Sequence, residues 1–184
     1  MQAKNSTAKV LTDNFLTGKT LTSERLILRP FSSEDGNILF QLYGNDQVMA
    51  IRKIGTQTRQ ESDAQLAIIT DHWLRRGFGL WAVFDRVNET FLGECGIREE
   101  SETGDVVELS YGLLPEFWGG GLATEAARTV LDFGIEKLGM KTIYAFAQKK
   151  NATSLHILSK FGFQHECDFD EDGEMITRTV LEME

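Results

Sequence analysis

Residues Val106 to Gly121 read V-V-E-L-S-Y-G-L-L-P-E-F-W-G-G-G, and L-A-T-E-A-A-R-T-V-L-D-F-G-I-E-K-L follows from Leu122 to Leu138, closed by Gly139. The first half alternates in polarity and stops at Pro115, which has no amide proton to give a ladder, so it predicts a strand. Three glycines follow, and then apolar residues recur at helical spacing. A strand, a glycine turn and a helix N-terminus gather unpaired amide protons and the positive end of a helix dipole at one point. That combination predicts a phosphate-binding turn over Gly119 to Thr124. The dipole favours a bound anion there by roughly 0.3–2 kcal/mol.

The flanking sequence sets the context of this turn. Gly79 to Arg86 and Thr90 to Arg98 read as two strands around Asn88-Glu89, and an acidic turn from Glu99 to Asp105 leads into the strand before the glycines. Three consecutive strands therefore make an antiparallel meander. Upstream, Thr20 to Pro30 reads as a first strand. Ser32 to Asp35 offers cap chemistry for a helix of about three turns carrying Ile38, Leu39, Leu42 and Tyr43 on one face. Gly44 to Thr58 is irregular, with an apolar insertion at Val48 to Ile51. A second helix spans Arg59 to Arg76, with Ala64, Leu66, Ala67, Ile69, Trp73 and Leu74 at helical spacing and Gly77 as its stop. Downstream lie a strand over Lys141 to Ala147, a helix over Ala152 to Phe161 capped by Asn151, and a final strand pair over 163–169 and 174–181. The order β-α-α-β-β-β-α-β-α-β-β predicts one mixed α/β domain over 21–184, with a mostly antiparallel central sheet, behind a polar N-terminal arm at 1–20.

Composition narrows the function classes. The chain has 184 residues and is 41% hydrophobic, enough for a single core. A net charge of −9 argues against general nucleic-acid or acidic-membrane partners. Cys95 and Cys167, with His72, His156 and His165, show no metal-ligand spacing, so no metal is expected. Neither a signal peptide nor an apolar run of membrane-spanning length is present, and the expected location is the cytoplasm. The lack of G-x-x-x-x-G-K-[ST] excludes an NTPase loop, and a Rossmann G-x-G-x-x-G is absent.

Three stretches resemble the GCN5-related N-acetyltransferase (GNAT) superfamily, and within it the ribosomal-protein N-terminal acetyltransferase-like (RimJ/RimL-type) subgroup. T-S-E-R-L-I-L-R-P at 22–30 is similar to the family's opening strand. E-L-S-Y-G-L-L-P-E-F-W-G-G-G-L-A-T-E-A at 108–126 resembles its acetyl-CoA motif. N-A-T-S-L-H-I-L-S-K-F-G-F at 151–163 resembles its second CoA-contacting helix. The resemblance implies acetyl-CoA as co-substrate and an amine as acceptor, with a protein N-terminal α-amine first and a small amine (polyamine, amino acid or aminoglycoside) second. A non-catalytic CoA-binding module is the reading from another class. A homodimer is implied at the family level only.

Site residues follow from the same resemblance. The pyrophosphate would sit on the amides of Gly119, Gly120, Gly121, Leu122, Ala123 and Thr124. Trp118 stands where most of the superfamily has Gln or Arg. The pantetheine arm would pair with the strand ending at Leu113 and Leu114, because the neighbouring strand splays away there. The Leu113 backbone would polarise the thioester carbonyl. Asn151 is a helix cap by residue type and a pantetheine contact by resemblance. Ser154 stands near the expected sulfur and would hydrogen-bond the departing thiolate. Many members carry a tyrosine one turn later, where this chain has Leu158. Glu108 is the candidate general base, with Glu94 on the neighbouring strand as the alternative. For each glutamate a salt-bridge role stands beside the catalytic one.

Overall fold

The meander forms the middle of a single eight-stranded sheet. A computed structural model describes residues 18–52, 55–99 and 106–183. In it β3 (Leu80–Asp85), β4 (Phe91–Glu99) and β5 (Val107–Leu113) pair antiparallel. On one side lie β1 (Leu21–Thr22) and β2 (Leu26–Pro30), and on the other β6 (Thr142–Gln148), β7 (Gln164–Glu171) and β8 (Glu174–Glu182). The strand order is β1-β2-β3-β4-β5-β6-β8-β7. Every neighbouring pair is antiparallel except β5 and β6, which run parallel and share one register pair, Glu108 with Tyr144.

Five α-helices occur among the described residues: α1 (Gly36–Tyr43), α2 (Asp46–Met49), α3 (Arg59–Arg76), α4 (Leu122–Glu136) and α5 (Ala152–Lys160). α4 is the crossover between the parallel strands, and its buried face consists of Ala126, Ala127, Val130, Leu131 and Gly134. Trp81 on β3 stacks edge-on with Trp73 of α3 and with Phe133 of α4, joining these helices to the sheet.

Three expectations need correction. The first strand is not continuous over 20–30. It doubles back at Ser23 to Arg25, where the Ser23 amide bonds the Leu26 carbonyl, so that Leu21 pairs with Leu28. The apolar insertion at 48–51 is partly helical. Asn45 caps α2 through the amides of Gln47 and Val48, and Val48 and Met49 enter the core. α3 has the predicted bounds, with a capping box between Thr58 and Glu61 and a left-handed Gly77. Its buried hydrophobics, however, are Leu66, Ile69 and Trp73, while Ala64, Ala67 and Leu74 face outward. Periodicity gave the helix but drew its apolar stripe too wide. The expected arm at 1–20 lies mostly outside the described residues.

His72 makes the α3–β4 packing sensitive to pH. Its Nδ1 lies 2.9 Å from the Phe78 carbonyl, which can only accept, and its Nε2 lies 3.3 Å from the Glu99 amide, which can only donate. These partners select the neutral ring with its proton on Nδ1. Burial holds the imidazole below its ordinary 6.5, against the smaller upward pull of the Phe78 carbonyl and Glu99. Below that ordinary value the unfolded chain takes up a proton that the fold refuses. Stability is therefore complete above it and falls with pH down to the folded-state pKa. The Tm of the protein should drop between about pH 7.5 and about pH 5.5, and drop less in His72→Gln. Equal pH slopes for the two proteins would contradict this.

Candidate active site

The site begins where β5 loses its parallel neighbour. The Leu114 amide donates to the Leu92 carbonyl at 2.8 Å, on the β4 side. Alternation along an antiparallel ladder then turns the amide and carbonyl of Leu113 to the other side, toward β6. β6 has its single register pair with β5 at Glu108. At Leu113 the β6 side of β5 is thus an open edge. The Trp118 indole nitrogen donates to the Leu113 carbonyl at 2.7 Å, while its ring is 51% exposed. The backbone of Leu113 faces the opening. That of Leu114 does not, because its amide is spent on β4.

The glycine turn lies just beyond. A single 3-10 turn over Pro115–Phe117 carries the chain to it. Gly119 and Gly121 have φ of 80° and 76°. Gly121 occupies the N-cap of α4 in the left-handed region, and no side chain caps the helix. The first helical bond runs from the Glu125 amide to the Gly121 carbonyl, so the amides of Leu122, Ala123 and Thr124 have no intrahelical partner. A side-chain cap is worth about 1 kcal/mol. Burial of Val130 and Leu131 contributes about 1.5–3 kcal/mol each, so packing holds α4 without a cap. The three glycines are exposed. An uncapped helix start behind an exposed left-handed glycine fits a phosphate group.

Sequence reasoning missed the clamp that holds this turn. The Arg25 side chain donates to the Gly120 carbonyl at 3.0 Å through Nη1 and to Glu125 Oε2 at 2.6 Å through Nε. The Arg25 amide and the Ser23 hydroxyl donate to Glu125 Oε1 at 2.8 and 2.6 Å. Burial works against the Glu125 carboxylate, but these hydrogen bonds outweigh it and hold its pKa below the usual value. An acid in the first turn of α4 would repel a bound anion, and Arg25 offsets its charge. The S-E-R corner of the opening strand and the T-E pair of the helix are about a hundred residues apart, so neither spacing nor periodicity links them.

On the other side of the opening stands α5. Asn151 caps it, its Oδ1 accepting the Ser154 amide at 3.1 Å. The Ser154 hydroxyl lies 2.9 Å from the Tyr111 hydroxyl. Tyr111 is two residues before Leu113 on β5, and its contact with Ser154 was not legible in the sequence. Leu158 is packed in the core.

The two glutamates are placed unequally. Glu108 is five residues before Leu113, roughly 17 Å along an extended strand, and its carboxylate is paired with Arg98 at 3.0 Å. The structure does not bring it to the Leu113 end, because the strand between them is straight ladder. Glu94 lies opposite Gly112, adjacent to Leu113, and is fully buried. It accepts from the Tyr43 hydroxyl at 2.8 Å and from Arg52 Nη1 at 2.6 Å. Burial would weaken the Arg52 charge, but Glu94 outweighs it and keeps the guanidinium protonated, while burial and the same carboxylate push the Tyr43 phenol up. Arg52 lies against Gly112, where a Cβ would sit 2.1 Å from Nη2. Among the described residues no group of three His, Cys, Asp or Glu is placed to hold a metal ion, and no helix is long and apolar enough to cross a membrane.

The acetyltransferase (GNAT) domain family matches residues 25–164. The chain therefore belongs to the GNAT acetyltransferase family and is an acyltransferase of the acetyl-CoA-dependent kind. Among curated relatives it is 28% identical over 150 residues to the N-acetyltransferase YoaA of Bacillus subtilis, covering 79% of this chain and 83% of that protein. It is 29% identical over 147 residues to spermidine N(1)-acetyltransferase of Escherichia coli, covering 76% and 73%. Among solved structures, a GNAT-family acetyltransferase from Bacillus anthracis superposes with a TM-score of 0.76 at 18% identity, covering 89% and 98%. RimL, a ribosomal-protein alpha-N-acetyltransferase in complex with coenzyme A, superposes with the same TM-score at 13% identity, also covering 89% and 98%.

Gly121→Val tests the turn. A non-glycine residue in the left-handed region costs about 1–2 kcal/mol, and valine would also crowd the backbone that a phosphate must approach. The variant should stay folded and lose at least about tenfold in CoA affinity by calorimetry, the equivalent of 1.4 kcal/mol. Retained affinity in a folded variant would contradict the assignment.

Proposed function

We propose that this chain transfers the acetyl group of acetyl-CoA to a primary amine by direct attack within a ternary complex. The observation that carries this reading is the open edge of β5 at Leu113, set between the uncapped start of α4 and Ser154 on α5. The amides of Gly119, Gly120, Gly121, Leu122, Ala123 and Thr124 would hold the pyrophosphate, with Trp118 beside them. Leu113 would pair with the pantetheine arm and polarise the thioester carbonyl through its amide. Asn151 fixes the start of α5, and Ser154 would donate a hydrogen bond to the thiolate as it leaves. The thioester itself supplies the activated acyl group. Of the two glutamates, Glu94 is the carboxylate placed next to the reacting end.

For the acceptor, a small cationic amine of the polyamine class is the better-supported reading, reversing the order the sequence motifs suggest. Two observations support it. The likeness to a spermidine acetyltransferase extends over sequence at 29% identity, whereas the likeness to RimL, at 13%, is one of fold. The β7–β8 hairpin also carries exposed acids at Asp170 and Asp172, beside Glu174, which is paired with Lys150. A protein N-terminal α-amine is the second reading, carried by the RimL likeness.

A thiol-release assay with acetyl-CoA separates the readings. Spermidine and spermine should be acetylated with kcat/KM at least about tenfold above N-terminal peptides, a difference of 1.4 kcal/mol in transition-state binding. Faster turnover of a peptide would overturn the acceptor reading. Tight CoA binding with no thiol released by any amine would leave only a binding module.

A further inference from the structure

We propose that Tyr111 is a positioning residue for acetyl transfer, holding the Ser154 hydroxyl so that its proton faces the departing sulfur. This rests on the role given to Ser154 under the proposed function.

Tyr111 and Leu113 are two apart on β5, so their side chains leave the same face of the sheet and their amides point to the same open edge. The Tyr111 ring spans from that strand to the first turn of α5. Its hydroxyl lies 2.9 Å from Ser154 Oγ and 3.3 Å from the Ser154 carbonyl oxygen. The phenol has one proton to give, and both neighbours can accept it. The shorter contact is to Oγ, which therefore takes the larger share. Either hydroxyl can be the donor in this contact; in the arrangement proposed, the phenol proton lies on Oγ and Ser154 keeps its own proton for another acceptor. Asn151 already holds the Ser154 amide at 3.1 Å. Ser154 is thus held at its backbone by Asn151 and at its hydroxyl by Tyr111, and in the proposed arrangement its own hydrogen is left for the sulfur.

The phenol is not itself the proton source. Burial pushes Tyr111 up to about 12, while an alkyl thiol such as cysteine titrates near ~8.5. The phenol is the weaker acid of the two, so the role assigned to Tyr111 is to hold Ser154 and not to supply the proton. The assignment also accounts for Leu158. This helix position carries a buried aliphatic side chain, and the aromatic hydroxyl next to α5 comes from the strand instead.

The experiment is a double-mutant cycle on turnover, with CoA affinity measured in parallel. Tyr111→Phe keeps the ring and its packing and removes only the hydroxyl. It should lower kcat about tenfold, the scale of one hydrogen bond, while leaving the Kd for CoA within about twofold. In a Ser154→Ala background, the same substitution should change kcat no further, because the partner through which it acts is gone. A packing role would instead lower the Tm and raise the Kd, and would act equally in both backgrounds. Wild-type kcat in Tyr111→Phe with a slow Ser154→Ala would overturn the role of Tyr111 alone. Effects that multiply in the double variant would do the same. Wild-type kcat in Ser154→Ala would overturn the role of Ser154 and this inference with it.

Discussion

One constraint governs the molecule: two parallel strands that meet at a single pair of residues and then part. Elsewhere the sheet is antiparallel with long runs of register, and those ladders make it stiff. Between β5 and β6 the register stops at Glu108 and Tyr144. The edge beyond it retains the backbone groups of an interior strand without an interior neighbour, which would be a liability unless something covers it. Pro115 ends the strand just past Leu114, and the Trp118 indole occupies the Leu113 carbonyl. What remains is a short, bounded edge that can accept an extended ligand by strand addition. α4 must cross between the parted strands, and so its N-terminus opens at the end of the same edge. One topological feature thereby leaves both an open strand edge and an uncapped helix start.

Charge is arranged around these features in two compensated pairs. Arg25 meets Glu125 where the glycine turn is fixed, and Arg52 meets Glu94 beneath Gly112. The first pair is half-exposed, and its importance lies in geometry more than in energy, because screened surface pairs contribute little. Its use is to hold the Gly120 carbonyl and to offset an acid at the start of α4. The second has a fully buried carboxylate and a mostly buried guanidinium, and removing Arg52 would leave the Glu94 charge uncompensated at a cost of about 3–5 kcal/mol. A net charge of −9 surrounds both. It sets a field that draws cationic amines and repels CoA, whose capture then depends on local donors.

Much of this was legible in the sequence, and the reasons for success and failure are physical. The meander, the glycine turn, α3 and α5 rest on local rules: alternation, helical spacing, and the caps at Asn151 and Gly77. Those rules gave element type almost everywhere. They failed at 20–30, where a strand of good β character folds back because Ser23 and Arg25 have partners on α4. They also misjudged α3, where Ala64, Ala67 and Leu74 fit the spacing but face water. The site divided the same way. The left-handed Gly121 could be read from the glycines, while the Leu113 edge was implied by the family resemblance, with which Pro115 agrees. Side-chain pairings across the fold, Tyr111 with Ser154 and Arg25 with Gly120, have no sequence signature. The sequence puts Glu108 ahead of Glu94 as the candidate base, whereas the register sets Glu94, opposite Gly112, nearer to Leu113.

The most direct test of the account is amide hydrogen exchange with and without CoA, followed residue by residue by NMR. If the open edge of β5 takes the pantetheine arm and the start of α4 takes the pyrophosphate, CoA should slow exchange at Leu113 and at Leu122, Ala123 and Thr124. Leu114, already bonded to β4, should change little. Protection that appears on β7 or on α3, with Leu113 and the first turn of α4 unaffected, would contradict the placement of the cofactor and the account built on it.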